Sequence, residues 1–100
     1  MKAVKILEKT SEGNRVINYV YIKDGVVVNQ VIHLTHVNDD IERIMRDGVF
    51  NPAPSVSKHI FAKHDPELFL RSLSMRYNGS SFYWATALED VEVENLVRAA

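Results

Sequence analysis

The sequence predicts an α+β fold: an antiparallel three- to four-stranded sheet, opened by an N-terminal β-meander and packed with two or three short helices. Three observations predict it. The first third of the chain carries β-branched and aromatic residues in three runs split by turn residues. After Leu34 the apolar period changes from that of a strand to that of a helix. A second helix start, Asp65-Pro66-Glu67, is then followed by one more alternating aromatic run.

The meander takes residues 4–7, 16–22 and 26–34. Asp24-Gly25 between Tyr21-Ile22-Lys23 and Val26-Val27-Val28 marks a two-residue hairpin, because a type I′ turn needs two residues that tolerate positive φ. Ser11-Glu12-Gly13-Asn14 reads as a looser four-residue connection. Pairing Lys23 with Val26 and Thr10 with Arg15 then assigns each side chain to a face. One face holds Val4, Ile6, Ile17, Tyr19, Tyr21, Val26, Val28 and Ile32 and is the expected helix-packed side. The other holds Leu7, Val16, Val20, Ile22, Val27 and Val31 among Lys5, Lys9, Asn18, Asn29 and His33. That second face is too apolar for a solvated sheet surface.

Val37, Ile41, Ile44 and Met45 recur at helical spacing, with Thr35 or Asn38 as N-cap, Gly48 beyond the end, and Asp39/Arg43 and Glu42/Arg46 as i,i+4 pairs. Residues 49–64, with Pro52, Pro54, Ser55 and Ser57, read as a long irregular connection pinned by Ile60 and Phe61. The second helix turns Phe69, Leu70, Leu73 and Tyr77 to the core and closes at Asn78-Gly79. Residues 82–88 form a fourth strand that sets Trp84 on one face with Phe82, Thr86 and Leu88. Residues 90–98 fit a strand or a helix; Asp90 as N-cap and the Glu94/Arg98 pair favour a helix.

Composition bounds the function. One hundred residues, 46% hydrophobic and 25% charged, make one domain over residues 1–100 with enough core to fold without staples. Twelve basic against thirteen acidic residues, a formal charge of −1, disfavour a nucleic-acid-coating protein. Without cysteine there is no thiol catalysis, thiolate metal site or disulfide framework, in keeping with a cytoplasmic protein. Met1-Lys2-Ala3-Val4-Lys5-Ile6 begins as a strand and not as a signal peptide or membrane span, so no membrane association is expected.

No phosphate-binding glycine loop, HExxH, nucleophile elbow or calcium loop occurs, and the balance leans away from an enzyme. His33, His36, His59 and His64 lack ligand spacing, so neither a metal nor a cofactor is expected; Asp65 beside His64 serves as an N-cap. Tyr19 and Tyr21 fall on the expected core face, away from Lys5 and Lys9, which speaks against a base-stacking platform. Asn78-Gly79-Ser80 reads as a helix stop.

Two working surfaces follow. The leading expectation is a small interaction or regulatory module that forms a homodimer or docks on a protein partner through Leu7, Val16, Asn18, Val20, Val27, Asn29 and Val31. The alternative is a small enzyme or ligand-binding domain with its site between residues 51–64 and the second helix, using Lys58, His59, Lys63, His64 and Arg76. In a third arrangement the C-terminal segment or the proline-containing connection covers the second face and leaves a closed monomer.

Overall fold

The structure is a computed structural model; it describes residues 1–53, 56–77 and 82–92, with the side chains of 51–53, 56 and 57 left aside. Strands β1 (Lys2–Thr10), β2 (Gly13–Lys23) and β3 (Val26–Val31) form the expected meander, followed by helix α1 (His36–Asp47), strands β4 (Val49–Ala53) and β5 (Val56–Ile60), helix α2 (Pro66–Tyr77), and the short strands β6 (Tyr83–Ala85) and β7 (Glu89–Asp90). The main sheet is antiparallel, in the order β3-β2-β1-β6, with β7 also on β1; β4 and β5 make a separate two-stranded ribbon. The fold is α+β.

Both hairpins of the meander are tight. Asp24 and Gly25 have φ of 53° and 79°, the positive values a type I′ turn requires, and Lys23 pairs with Val26 as expected. At the first hairpin Thr10 pairs with Gly13, not Arg15, so the turn is two residues long. That difference moves the register by two positions and leaves the faces unchanged. A β-bulge then changes them: Leu7 pairs with Val16 but Ile6 pairs with Asn18, leaving Ile17 as the extra residue. One inserted residue inverts the phase of β2 beyond it, and the Lys23–Val26 pairing carries the inversion through β3.

The two faces are therefore composed differently from the expectation. Val4, Ile6, Val20 and Val27 face the helices, with Ile17 buried beside them at the bulge, and pack with Val37, Ile41 and Ile44 of α1 and Phe69, Leu70, Leu73 and Tyr77 of α2. By register, Ala3, Lys5, Leu7, Val16, Tyr19, Tyr21, Val28, Gln30 and Trp84 lie on the opposite, outer face. The described helices are all on the inner side, and the shortest dimension, 21 Å, is that of a sheet and one helical layer.

Both helices start where their chemistry dictates. The Thr35 hydroxyl accepts from the Val37 N–H at 3.2 Å and caps α1; the Asp65 carboxylate accepts from the Leu68 N–H at 3.2 Å and caps α2. In α2 the expected Glu67–Arg71 pair forms at 3.1 Å. In α1 the expected pairs do not: Arg43 and Arg46 bind Asp40 and Asp47, and Glu42 accepts from Asn29.

Residues 49–60 are not the irregular connection expected. They pair as a ribbon from Val49↔Ile60 to Ala53↔Val56, with Val49 and Ile60 in the core. Proline disguises it in the sequence, yet Pro52 is tolerated because a two-stranded ribbon has only edge positions. Ile60 anchors the ribbon at 4% exposure, whereas Phe61, at 39%, does not. The ribbon packs against α2, so it does not cover the outer face.

The fourth strand is shorter than residues 82–88: it breaks after Ala85, Leu88 packs on the core and Trp84 stays outside. Asp90 belongs to β7 and caps no helix there. The expected helix beyond it and the Asn78-Gly79 stop lie outside the described residues.

Candidate functional site

The seven residues expected to form one interface are split between the two faces. Val20 and Asn18 are fully buried and Val27 is 6% exposed, all on the helix-packed side. Asn29 joins them there in a polar chain: the Asn18 amide donates to Asn29 Oδ1 at 2.8 Å, and Asn29 Nδ2 donates to Asn38 Oδ1 at 2.9 Å and Glu42 Oε1 at 3.0 Å. Val31 shares that phase at the sheet edge and is 39% exposed. Only Leu7 and Val16 remain on the outer face, directly opposite one another.

The outer face is nonetheless apolar, because residues that the expected register sent inward arrive there. Leu7 lies between Val16 on β2 and Trp84 on β6; Lys5 pairs with Tyr19, and Tyr21 with Ala3 and Val28. Ala3 and Tyr19 are closed off by their surroundings at 1% and 8% exposure, while Leu7, Val16, Tyr21, Val28 and Trp84 are half-buried. Among the described residues the charged side chains on the strands of this face are Lys5, Lys9 and Lys23, with Glu89 of β7 set 3.8 Å from Lys5. Aromatic rings and lysines thus share a surface, which the unbulged register denies.

The other expected site is also divided. His59 and His64 sit on the ribbon and before α2, each against a phenylalanine ring: His59 on Phe50 at 5.6 Å and His64 on Phe61 at 5.8 Å. They line a shallow depression of about 180 Å³ with Lys58 and Leu68. Lys63 lines a separate depression with Gly25 and Met45. Arg76 lies at the far end of α2 and takes no part in either. Among the described residues no three His, Cys, Asp or Glu side chains gather as metal ligands.

Arg76 instead belongs to a cluster that sequence reasoning missed. Asp40 of α1 accepts from Arg76 through Nε at 3.0 Å and Nη2 at 2.9 Å, from the Tyr77 hydroxyl at 2.6 Å, and from Arg43. His36 and Tyr83 stand edge-to-face 5.1 Å apart at the mouth of the same groove, about 390 Å³ in volume. Burial pushes Asp40 up, but the hydrogen bonds from Arg76, Tyr77 and Arg43 outweigh it and hold the carboxyl at about 2. Burial, and then the bond to Asp40, raises the Tyr77 phenol above its ordinary value. Both groups are driven away from neutrality, the opposite of what a general acid or base needs, and their geometry clasps α1 to α2.

Neither the models of known families, nor the curated proteins, nor the solved structures contain a match to this chain. No helix among the described residues is long and apolar enough to cross a membrane.

Proposed function

We propose that the protein is an interaction module whose outer sheet face docks a protein partner carrying an apolar surface bordered by carboxylates. One observation carries this reading: the sheet has its described helices on one side and a half-buried apolar set, Leu7, Val16, Tyr21, Val28 and Trp84, on the other. A sheet face meant for water alternates to polar residues there.

The charges select the partner. Lys9 and Lys23 border the set and Lys5 is balanced by Glu89, so an acidic rim is attracted and a second copy of the same face, lysine against lysine, is disfavoured. β1 has nine residues, which at ~3.4 Å each and four strand positions of ~4.8 Å bounds the face at roughly 30 by 19 Å, the low end of the footprint of a standard interface. Single-stranded nucleic acid is the competing occupant, since aromatics and lysines share the face. Against it, Tyr19 is closed off at 8% exposure, and by register Lys5 and Leu7 of β1 separate Tyr21 from Trp84, so the two rings form no continuous stacking surface.

Trp84 is the single tryptophan of the chain, so its emission reports on this face directly. Titration with an amphipathic helical peptide, its leucine stripe bordered by glutamates, is expected to blue-shift Trp84 with micromolar affinity. The same peptide bordered by lysines is expected to bind at least about tenfold more weakly, as is the glutamate peptide to Tyr21→Ser and Val28→Lys. Equal response to both peptides, no response, or preferential binding of oligothymidylate overturns the proposal.

A further inference from the structure

The two edges of the main sheet are built differently. On one side β6 and β7 cover β1 with three and two residues, the chain leaves the ladder between them, and β7 is Glu89–Asp90. Short, interrupted and charged edges are how sheets discourage pairing with another chain. On the other side β3 runs six residues without a break, as Val-Val-Val-Asn-Gln-Val, with no charge, proline or glycine.

The hydrogen-bonding phase of that edge follows from the hairpin. In a two-residue hairpin the residues flanking the turn, here Lys23 and Val26, form a hydrogen-bonded pair, and such pairs alternate along the ladder. The Ile32 N–H donating to the Ile17 carbonyl at 2.8 Å continues the series. Val26, Val28 and Gln30 therefore bond to β2, while Val27, Asn29 and Val31 direct their N–H and C=O groups away from the sheet. No strand flanks them among the described residues. The Asn29 side chain is held from within by Asn18, Asn38 and Glu42, which fixes the backbone at the centre of the strand.

We propose that β3 pairs with β3 of a second copy, antiparallel about a two-fold axis at Asn29. In this register Asn29 faces Asn29 of the second copy and Val27 faces its Val31, so all three open residues become hydrogen-bonded pairs. Centring on Val28 serves only Val27 and Asn29. The register joins inner face to inner face, keeping the helices on one side and the outer face continuous across both copies. A second copy fits because the six residues of the strand carry no charge, so the pairing sets no like-charged side chains directly opposite one another, unlike the lysine-bordered outer face. The inference is independent of the docking reading, since it uses the edge and not the face.

Sedimentation across a wide dilution series is expected to show a monomer–dimer equilibrium in the micromolar range. Over the same series the amides of Val27, Asn29 and Val31 are expected to be protected from hydrogen exchange in the dimer and to lose protection on dilution. Val31→Pro deletes an outward N–H without touching the β2 ladder, and Val31→Lys places a charge on the edge; each is expected to weaken the dimer at least about tenfold. Tyr21→Ser, on the face, leaves it unchanged. Far-UV circular dichroism checks each fold, and Val31→Lys carries the test if the proline variant does not fold. A monomer at every concentration, or a dimer that survives both Val31 variants, overturns the proposal; so does one abolished by Tyr21→Ser.

Discussion

Asp40 shows how a single side chain joins two helices in this protein. Its carboxylate takes hydrogen bonds from Arg76 and Tyr77 of α2 and from Arg43 of its own helix, and these contacts hold it at about 2 against a free value of 3.8. A depressed carboxyl contributes stability that is full above the unfolded value and is lost as the pH falls through the folded one. The window is therefore about pH 4 to 2, and the contribution, reduced for partial exposure, is on the order of 1–2 kcal/mol. Asp40→Asn is expected to lower the urea midpoint at neutral pH and to flatten its fall over that window, as measured by urea titrations at a series of pH values. The sequence hid this cluster because Asp40 and Arg76 lie thirty-six positions apart; spacing on α1 suggested local pairs, and Arg71 on α2 is the one arginine whose local partner was legible.

At the scale of elements, capping and turn chemistry carried most of the information. Thr35, Asp65 and Asp24-Gly25 each act where their side chains or backbone freedom predict. Gly48 does as well: its φ of 91° lies in the region that favours glycine, and a Cβ there would stand 3.0 Å from His59 Cβ and 3.1 Å from Phe61 Cε1. Gly48→Ala is expected to cost about 1–3 kcal/mol, a fall in Tm of several degrees in a thermal melt, because α1 can no longer turn directly into the ribbon. Two elements were not legible. The ribbon of β4 and β5 was masked by its prolines, which usually signal a loop. The bulge at Ile17 was masked by composition: from Val16 to Ile22 only Asn18 is plainly polar, so either phase of the strand fits a buried face. The pairing needed to decide between them is non-local.

Across the whole molecule that one residue decides which side chains each face of the sheet carries. Without the bulge, Val20 and Val27 would face outward and the tyrosines inward; with it, Tyr21, Val28 and Trp84 share the outer face with Lys9 and Lys23, and among the described residues no helix packs on that face and no strand flanks the uncharged β3 edge. The bulge changes the membership of the expected second face, while the two-sided apolarity, a property of the whole meander, survives the inversion. The proposed partner for the face and the proposed second copy for the edge rest on the different charge of the two surfaces.

Thiol reactivity at two adjacent positions of β3 separates the inner face from the outer one, because the chain has no cysteine of its own. Val28→Cys and Val27→Cys differ by one residue and by one face. The thiol at position 28 is expected to be modified readily in the folded protein and to be shielded by the glutamate-bordered peptide, while the thiol at position 27 is expected to react only on unfolding. Free reaction at position 27, or a thiol at position 28 that stays shielded with no partner present, would contradict this division of the faces.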